Sequence, residues 1–207
     1  GGHNSYHMKI RLRAATKADE RALFDWANDA ITRANAFESD PIDWETHVEW
    51  LDARLARSET TQILIAERFD GHTVGQIRFD RSGEKAMIDY SVAPSHRGEG
   101  LGVRILEKGC RRALAIWPGV DRLVGIVKRE NIGSVKSFER AGFCEDDAST
   151  PEASFMWQRE NRRFVVAASR PWNRGIDERL SAHIKGVFEL ISAPDALSPA
   201  LAGLPRP

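Results

Sequence analysis

The chain has 207 residues, room for one domain with an appendage. Its 30 Lys and Arg balance 30 Asp and Glu, which argues against a nucleic-acid binder working through bulk electrostatics. With 42% hydrophobic and 29% charged residues it reads as an ordinary soluble globular protein, and no apolar run approaches the ~18–20 residues of a membrane span. Cys110 and Cys144 lie in apolar surroundings with no metal-like spacing. They read as reduced core residues of a cytoplasmic protein, and no metal site is expected.

Residues 1–7, GGHNSYH, read as a cloning remnant without a signal-peptide pattern. Residues 9–14 alternate, with Ile10 and Leu12 on one side, and predict a strand. Thr16, with Asp19 three positions on, predicts the start of a helix that carries Ala22, Leu23, Trp26 and Ala27 on one face. Residues 28–41, NDAITRANAFESDP, have little periodicity. A second helix is predicted from Asp43, with Trp44, His47, Val48, Leu51 and Leu55 as its stripe. Strands over 62–67, 73–79 and 86–92 are separated by turns at Asp70-Gly71 and at RSGE, 81–84. A glycine-rich turn then leads into a helix bearing Val103, Ile105, Leu106 and Cys110. A strand over 122–127, a helix over 132–141 ended by Gly142-Phe143, and a last hairpin closing over 155–159 complete the order β-α-α-β-β-β-α-β-α-β-β. That order predicts an α/β (α+β) domain over 8–160, a mixed but mostly antiparallel sheet flanked by helices.

The turn carries the chemistry. Strand residues Ile88, Tyr90 and Val92 give way to Pro94, and Arg97, Gly98, Glu99, Gly100, Leu101 and Gly102 follow directly before the helix. Glycines there let backbone N–H groups converge, and the helix start favours an anion, a pyrophosphate above all. The spacing fits neither the P-loop nor the dinucleotide fingerprint, because Val103 and Arg104 follow Gly102 and no third glycine falls in register.

Arg97-x-x-Gly100-x-Gly102 after Val92-Ala93-Pro94 resembles the acetyl-coenzyme A loop of the GNAT superfamily of N-acetyltransferases, and Asn131-x-x-Ser134 through Gly142-Phe143 is similar to that family's second characteristic region. The resemblance covers 8–160 and implies a GNAT fold with acetyl-CoA as cofactor. It implies that Ser91, Val92 and Ala93 line the pantetheine arm and that Arg97, Gly98, Glu99, Gly100, Leu101, Gly102 and Val103 hold the pyrophosphate. Asn131, Ser134, Ser137 and Phe138 would complete the cofactor side; Asn131 reads equally as a helix N-cap.

Acetyl transfer to an amine requires amine deprotonation, a polarised carbonyl and a proton for the departing thiolate. Many relatives carry a tyrosine acid where this chain has Phe138, which cannot donate. Tyr90, a water or purely electrostatic assistance could replace it. Candidates for the base are Asp89, Glu38, His47 and Glu49, with a packed core histidine as the other reading of His47.

Asn28, Arg33, Asn35, Phe37, Ser39 and Trp44 supply hydrogen bonds and flat surfaces that suit a sugar nucleotide; a plain helix connector packed by Phe37 is the alternative. Asn-Asp, an Arg, a Phe, Pro-Ile and His-x-x-Trp, with GQIRFD and IDYSVAP, resemble the aminosugar acetyltransferases of pseudaminic acid biosynthesis. That resemblance implies a UDP-linked 4-amino-4,6-dideoxy sugar as acceptor, bound by Asn28, Arg33, Phe37, Ser39 and His47. Two other classes stay open: a protein Nα- or polyamine acetyltransferase, kept alive by Glu38, Asp40 and Asp43, and a non-catalytic acyl-CoA sensor. Residues 161–207 resemble the opening of a formyltransferase-like domain without its catalytic set, or a simple C-terminal extension. An unpaired edge at 164–168 would favour a homodimer.

Overall fold

Alternation and helical spacing translate into twelve elements in the computed structural model, which describes residues 9–147 and 152–158. Strand β1 (Ile10–Ala14) leads through a 3-10 turn into α1 (Glu20–Ala27), α2 (Ala30–Asn35) and α3 (Trp44–Leu55). Then come β2 (Thr61–Arg68), β3 (Thr73–Ser82), β4 (Lys85–Val92), α4 (Leu101–Ile116), β5 (Arg122–Lys128), α5 (Ile132–Arg140), β6 (Cys144–Asp147) and β7 (Glu152–Gln158). The sheet order is β1-β2-β3-β4-β5-β7-β6. Every pairing is antiparallel except β4 with β5, which α4 connects as a crossover.

The sequence predicts the helix on 43–55 and the hairpins closely, and misses α2. Its six residues bury no side chain, so no apolar stripe announces it. What starts it is a cap: Asp29 accepts the backbone N–H of Thr32. Asp43 caps α3 in the same way through Thr46.

The faces of the sheet differ. On one, α4 lays Leu101, Ile105, Leu106, Cys110, Ala113 and Leu114 against Leu64, Ile77, Phe79 and Ile88, and the cluster runs on through Leu123, Phe138 and Phe155. Gly109 brings that helix close, since a Cβ there would sit 2.8 Å from the Ile77 side chain. On the other face Leu23 of α1 and Leu51 of α3 join Ala15, Ile63 and Ile65 in a smaller cluster, with Trp26, Trp50 and Leu55 packed against it. The β3–β4 half of that face carries polar side chains instead. Burial pushes the Cys110 thiol up, and that of Cys144 to about 11, so both stay protonated near neutrality. No helix among the described residues is long and apolar enough to cross a membrane. The strand expected over 164–168, and the whole of 161–207, lie outside the described residues, as do residues 1–7.

Candidate active site

Strands β4 and β5 pair only from Lys85↔Arg122 to Ile88↔Gly125, although β4 continues to Val92 and β5 to Lys128. Beyond that point the edges separate, and the β5-facing edge of Asp89–Val92 has no ladder partner in β5. At the last paired position the packing is close. Gly125 carries no side chain, and the Phe138 ring occupies its place: a Cβ there would lie 2.2 Å from that ring.

The loop after β4 stands at one end of the opening. Gly98 and Gly100 have φ of 79° and 74°, and Gly100 is the left-handed N-cap of α4. A Cβ on Gly98 would meet nothing within 4 Å, so the loop faces open space ahead of the free N–H groups of a sixteen-residue helix. Glu99, an awkward charge beside a phosphate, is ion-paired to Arg68. Arg68 Nε and His96 Nδ1 are buried beside it with no hydrogen-bond partner among the described residues. Left-handed glycines, a helix N-terminus and two buried nitrogens without a hydrogen-bond partner together fit a pyrophosphate. Leu101 and Ala93 turn their side chains into the core, so any contact from them is through backbone. Val103 is half-buried on α4.

Phe138 corrects one expectation. It is 2% exposed and packs on Phe143 and Phe155, which makes it a core ring and removes it from the cofactor-contacting set. Tyr90 stands edge-on to it at 5.6 Å, with its hydroxyl 3.1 Å from Ser134 Oγ. Burial raises the Tyr90 pKa, so the phenol stays protonated. Ser137 joins the same group: a Cβ on Gly102 would lie 2.8 Å from Ser137 Oγ and 3.4 Å from the Tyr90 ring. Thus β4, the start of α4 and α5 bring Tyr90, Gly102, Ser134 and Ser137 together. Asn131 caps α5 by accepting the Ser134 N–H, the capping role anticipated for it.

Alternation puts Asp89 and Ser91 on the opposite face, the side on which α3 packs. Buried Gln76 donates to Asp89 Oδ2 at 3.1 Å and to Ser91 Oγ at 3.3 Å. Asp89 is 56% exposed, and directly across the ladder stands Arg78, Nη1 3.7 Å away and beyond hydrogen-bond reach. Arg78 lies over the Trp50 ring at 5.2 Å, and its Nε is held by Asp80 at 2.8 Å. Sequence reasoning passed over Gln76 and Arg78. Counting back from the Gly83 turn in hairpin register would have placed Arg78 opposite Asp89.

The remaining expected residues divide. His47 is 3% exposed, stacks on Trp50 at 5.8 Å and sets Nε2 3.0 Å from the Glu20 carbonyl. It is a packed core histidine, outside the group around Tyr90 and Asp89. Asn28 exchanges two hydrogen bonds with the Ile42 backbone, and Arg33 donates to the carbonyls of Ala27, Glu38 and Asp40. Both hold their own loop instead of presenting donors to a ligand. Asp43 is engaged as a cap, while Glu38, Asp40 and Glu49 are exposed and outside the cluster. Phe37, 57% exposed, and Ser39 remain on the surface. Arg97 is not free: Nη2 meets Asp29 Oδ2 at 2.5 Å and Thr32 Oγ1 at 3.1 Å, and the pairing holds the Asp29 carboxyl below its usual pKa.

The profile of the family described as "Acetyltransferase (GNAT) domain" matches residues 9–144. An L-methionine sulfoximine/L-methionine sulfone acetyltransferase of Pseudomonas paraeruginosa is 28% identical over 143 residues, 66% of this chain and 81% of that protein. The Salmonella typhimurium enzyme of the same name is 27% identical over 141 residues, 65% of this chain and 80% of that protein. The crystal structure of spermidine N-acetyltransferase from Vibrio cholerae, in complex with CoA and spermine, superposes with a TM-score of 0.64 over 72% of this chain and 95% of that one, at 16% identity. With the profile match and the opened β4/β5 edge agreeing, the chain belongs to the GNAT family of acetyltransferases and takes acetyl-CoA as its acetyl donor.

Proposed function

We propose that the chain transfers the acetyl group of acetyl-CoA to the primary amine of a small α-amino acid-type acceptor, by direct attack in a ternary complex. The observation that carries this is the placement of Asp89 and Tyr90. They are neighbours on the freed stretch of β4 and point to opposite faces. An amine approaching on the Asp89 face loses its proton to that carboxylate, directly or through one water. Its nitrogen forms the bond to the thioester carbon as the carbon–sulfur bond breaks, and the thiolate, leaving on the Tyr90 face, takes the phenol proton. Backbone N–H groups on the freed edge polarise the carbonyl. Arg78, across from Asp89, offers a carboxylate its outer guanidinium nitrogens. An α-amino acid, ammonium toward Asp89 and carboxylate toward Arg78, complements this pair, and the two bacterial relatives above are named for such acceptors.

A UDP-linked 4-amino-4,6-dideoxy sugar is the second reading. Exposed Phe37 favours it, as a flat apolar surface for stacking. The engagement of Asn28 and Arg33 within their own loop weighs against it. A free-thiol release assay with acetyl-CoA decides, using L-methionine sulfone, its decarboxylated amine, the UDP-4-amino sugar and spermidine. Release above background with the amino acid and not with its decarboxylated counterpart is expected. Release dependent on the sugar nucleotide replaces the first reading with the second, and release with spermidine alone overturns both.

A further inference from the structure

The segment 28–42 is clamped upon itself and tied to the rest of the fold at two places. Arg33 gathers two of its carbonyls and that of Ala27 just before it, and the Asn28–Ile42 bonds close its ends. One tie is Arg97, in the loop after β4, to Asp29 and Thr32. The other is Lys128, the last residue of β5, whose Nζ donates to the Ala34 carbonyl at 3.1 Å. These are the two strands that part at the active site, so α2 is strapped across their opening. None of its residues is buried, and the ties, not packing, keep it there.

We propose that Asp29 is a positioning residue that makes this strap report on the donor: the acetyl-CoA pyrophosphate and the Asp29 carboxylate compete for Arg97, so donor binding unlatches α2 on the β4 side. The physical ground is simple. Arg97 is the loop's own cation in a site built for a phosphate, yet it reaches across 68 residues of sequence to a carboxylate. Asp29 cannot stay against it when a pyrophosphate arrives without setting two anions side by side. Released from Arg97, Asp29 still caps α2 through Thr32, so the helix survives and only its tether is lost. This competition rests on the assignment of the Arg97 loop to the donor's phosphates.

Asp29→Asn separates the two roles of this residue, because asparagine keeps the cap acceptor and removes the charge. In the full-length protein, CoA affinity is measured by calorimetry and amide exchange is followed over 28–43. The variant is expected to bind CoA roughly 3–10-fold more tightly, the modest range of a partly exposed pair, and to exchange faster without ligand. CoA speeds exchange over 28–43 in the parent and changes nothing further in the variant. Lys128→Met, which cuts the other tie, speeds exchange and leaves CoA affinity as in the parent. Weaker CoA binding in Asp29→Asn, or protection of 28–43 by CoA in the parent, overturns the proposal. Absence of CoA binding to the parent overturns the donor assignment, and the strap with it.

Discussion

The glycine-rich loop, Ala93 to Gly102, and the segment Asn28 to Asp43 are both irregular, polar and close to the β4/β5 opening. The first is shaped by its backbone. Its glycines adopt left-handed φ, a helix begins where they end, and the only two side chains it buries, Ala93 and Leu101, point into the core. The second depends on side chains, and those of Asn28 and Arg33 fold back onto its own carbonyls. A site built from backbone is written in residue type and spacing. A site built from side chains depends on which neighbour each one finds first.

That contrast can be broken at the donor end with the largest effect. Arg97→Glu places a carboxylate where the pyrophosphate belongs and beside Asp29, and CoA affinity should fall by at least ~50-fold in a titration. An affinity within threefold of the parent would show that the loop binds through its amides alone. Next in size is Asp89→Asn. Loss of the base should lower kcat/KM near neutral pH by roughly 10²–10³-fold. The remaining rate should climb with pH until the acceptor's own amine is free, because deprotonation then no longer needs a carboxylate. A variant with the parent's pH profile would move the base elsewhere.

Tyr90→Phe tests the opposite face. A thiolate is a good leaving group, so kcat should drop by only ~10–100-fold, with KM for acetyl-CoA unchanged because ring and packing are kept. The smallest effect is expected from Arg33→Met, which removes the clamp on the 28–42 segment. It should cost about 1–2 kcal/mol from three lost bonds to carbonyls, read as a lower melting temperature, and leave acceptor KM within twofold. A large rise in that KM at unchanged stability would return Arg33 to the substrate.

Much of the fold was legible because period and turn chemistry decided it. Gly71 and Gly83 sit at the two expected hairpin turns, and Gly142 at the expected end of α5, each with positive φ. Helix α2 was not, because a six-residue helix held by a cap and two ties has no apolar stripe to read. In the site, the motif reached Gly98, Gly100 and Gly102, whose work is geometric. It could not foresee that Phe138 would be drawn under Gly125, since that close approach exists only once β5 and α5 have packed. His47 shares its helix stripe with Trp44 and Leu51, and the stripe won: the ring packs where its spacing puts it. Alternation set Asp89 and Tyr90 on opposite faces of β4. The partner of Asp89 required strand register, one step beyond pattern.

The acceptor claim meets its most direct test in Arg78→Met, which keeps the stem over Trp50 and removes the charge. Steady-state kinetics would compare L-methionine sulfone with its decarboxylated amine in parent and variant. The parent should prefer the amino acid by about 50-fold or more in kcat/KM, chiefly through KM, and the variant should lose most of that preference with little change in kcat. Discrimination that survives intact in Arg78→Met would contradict an acceptor carboxylate at this site.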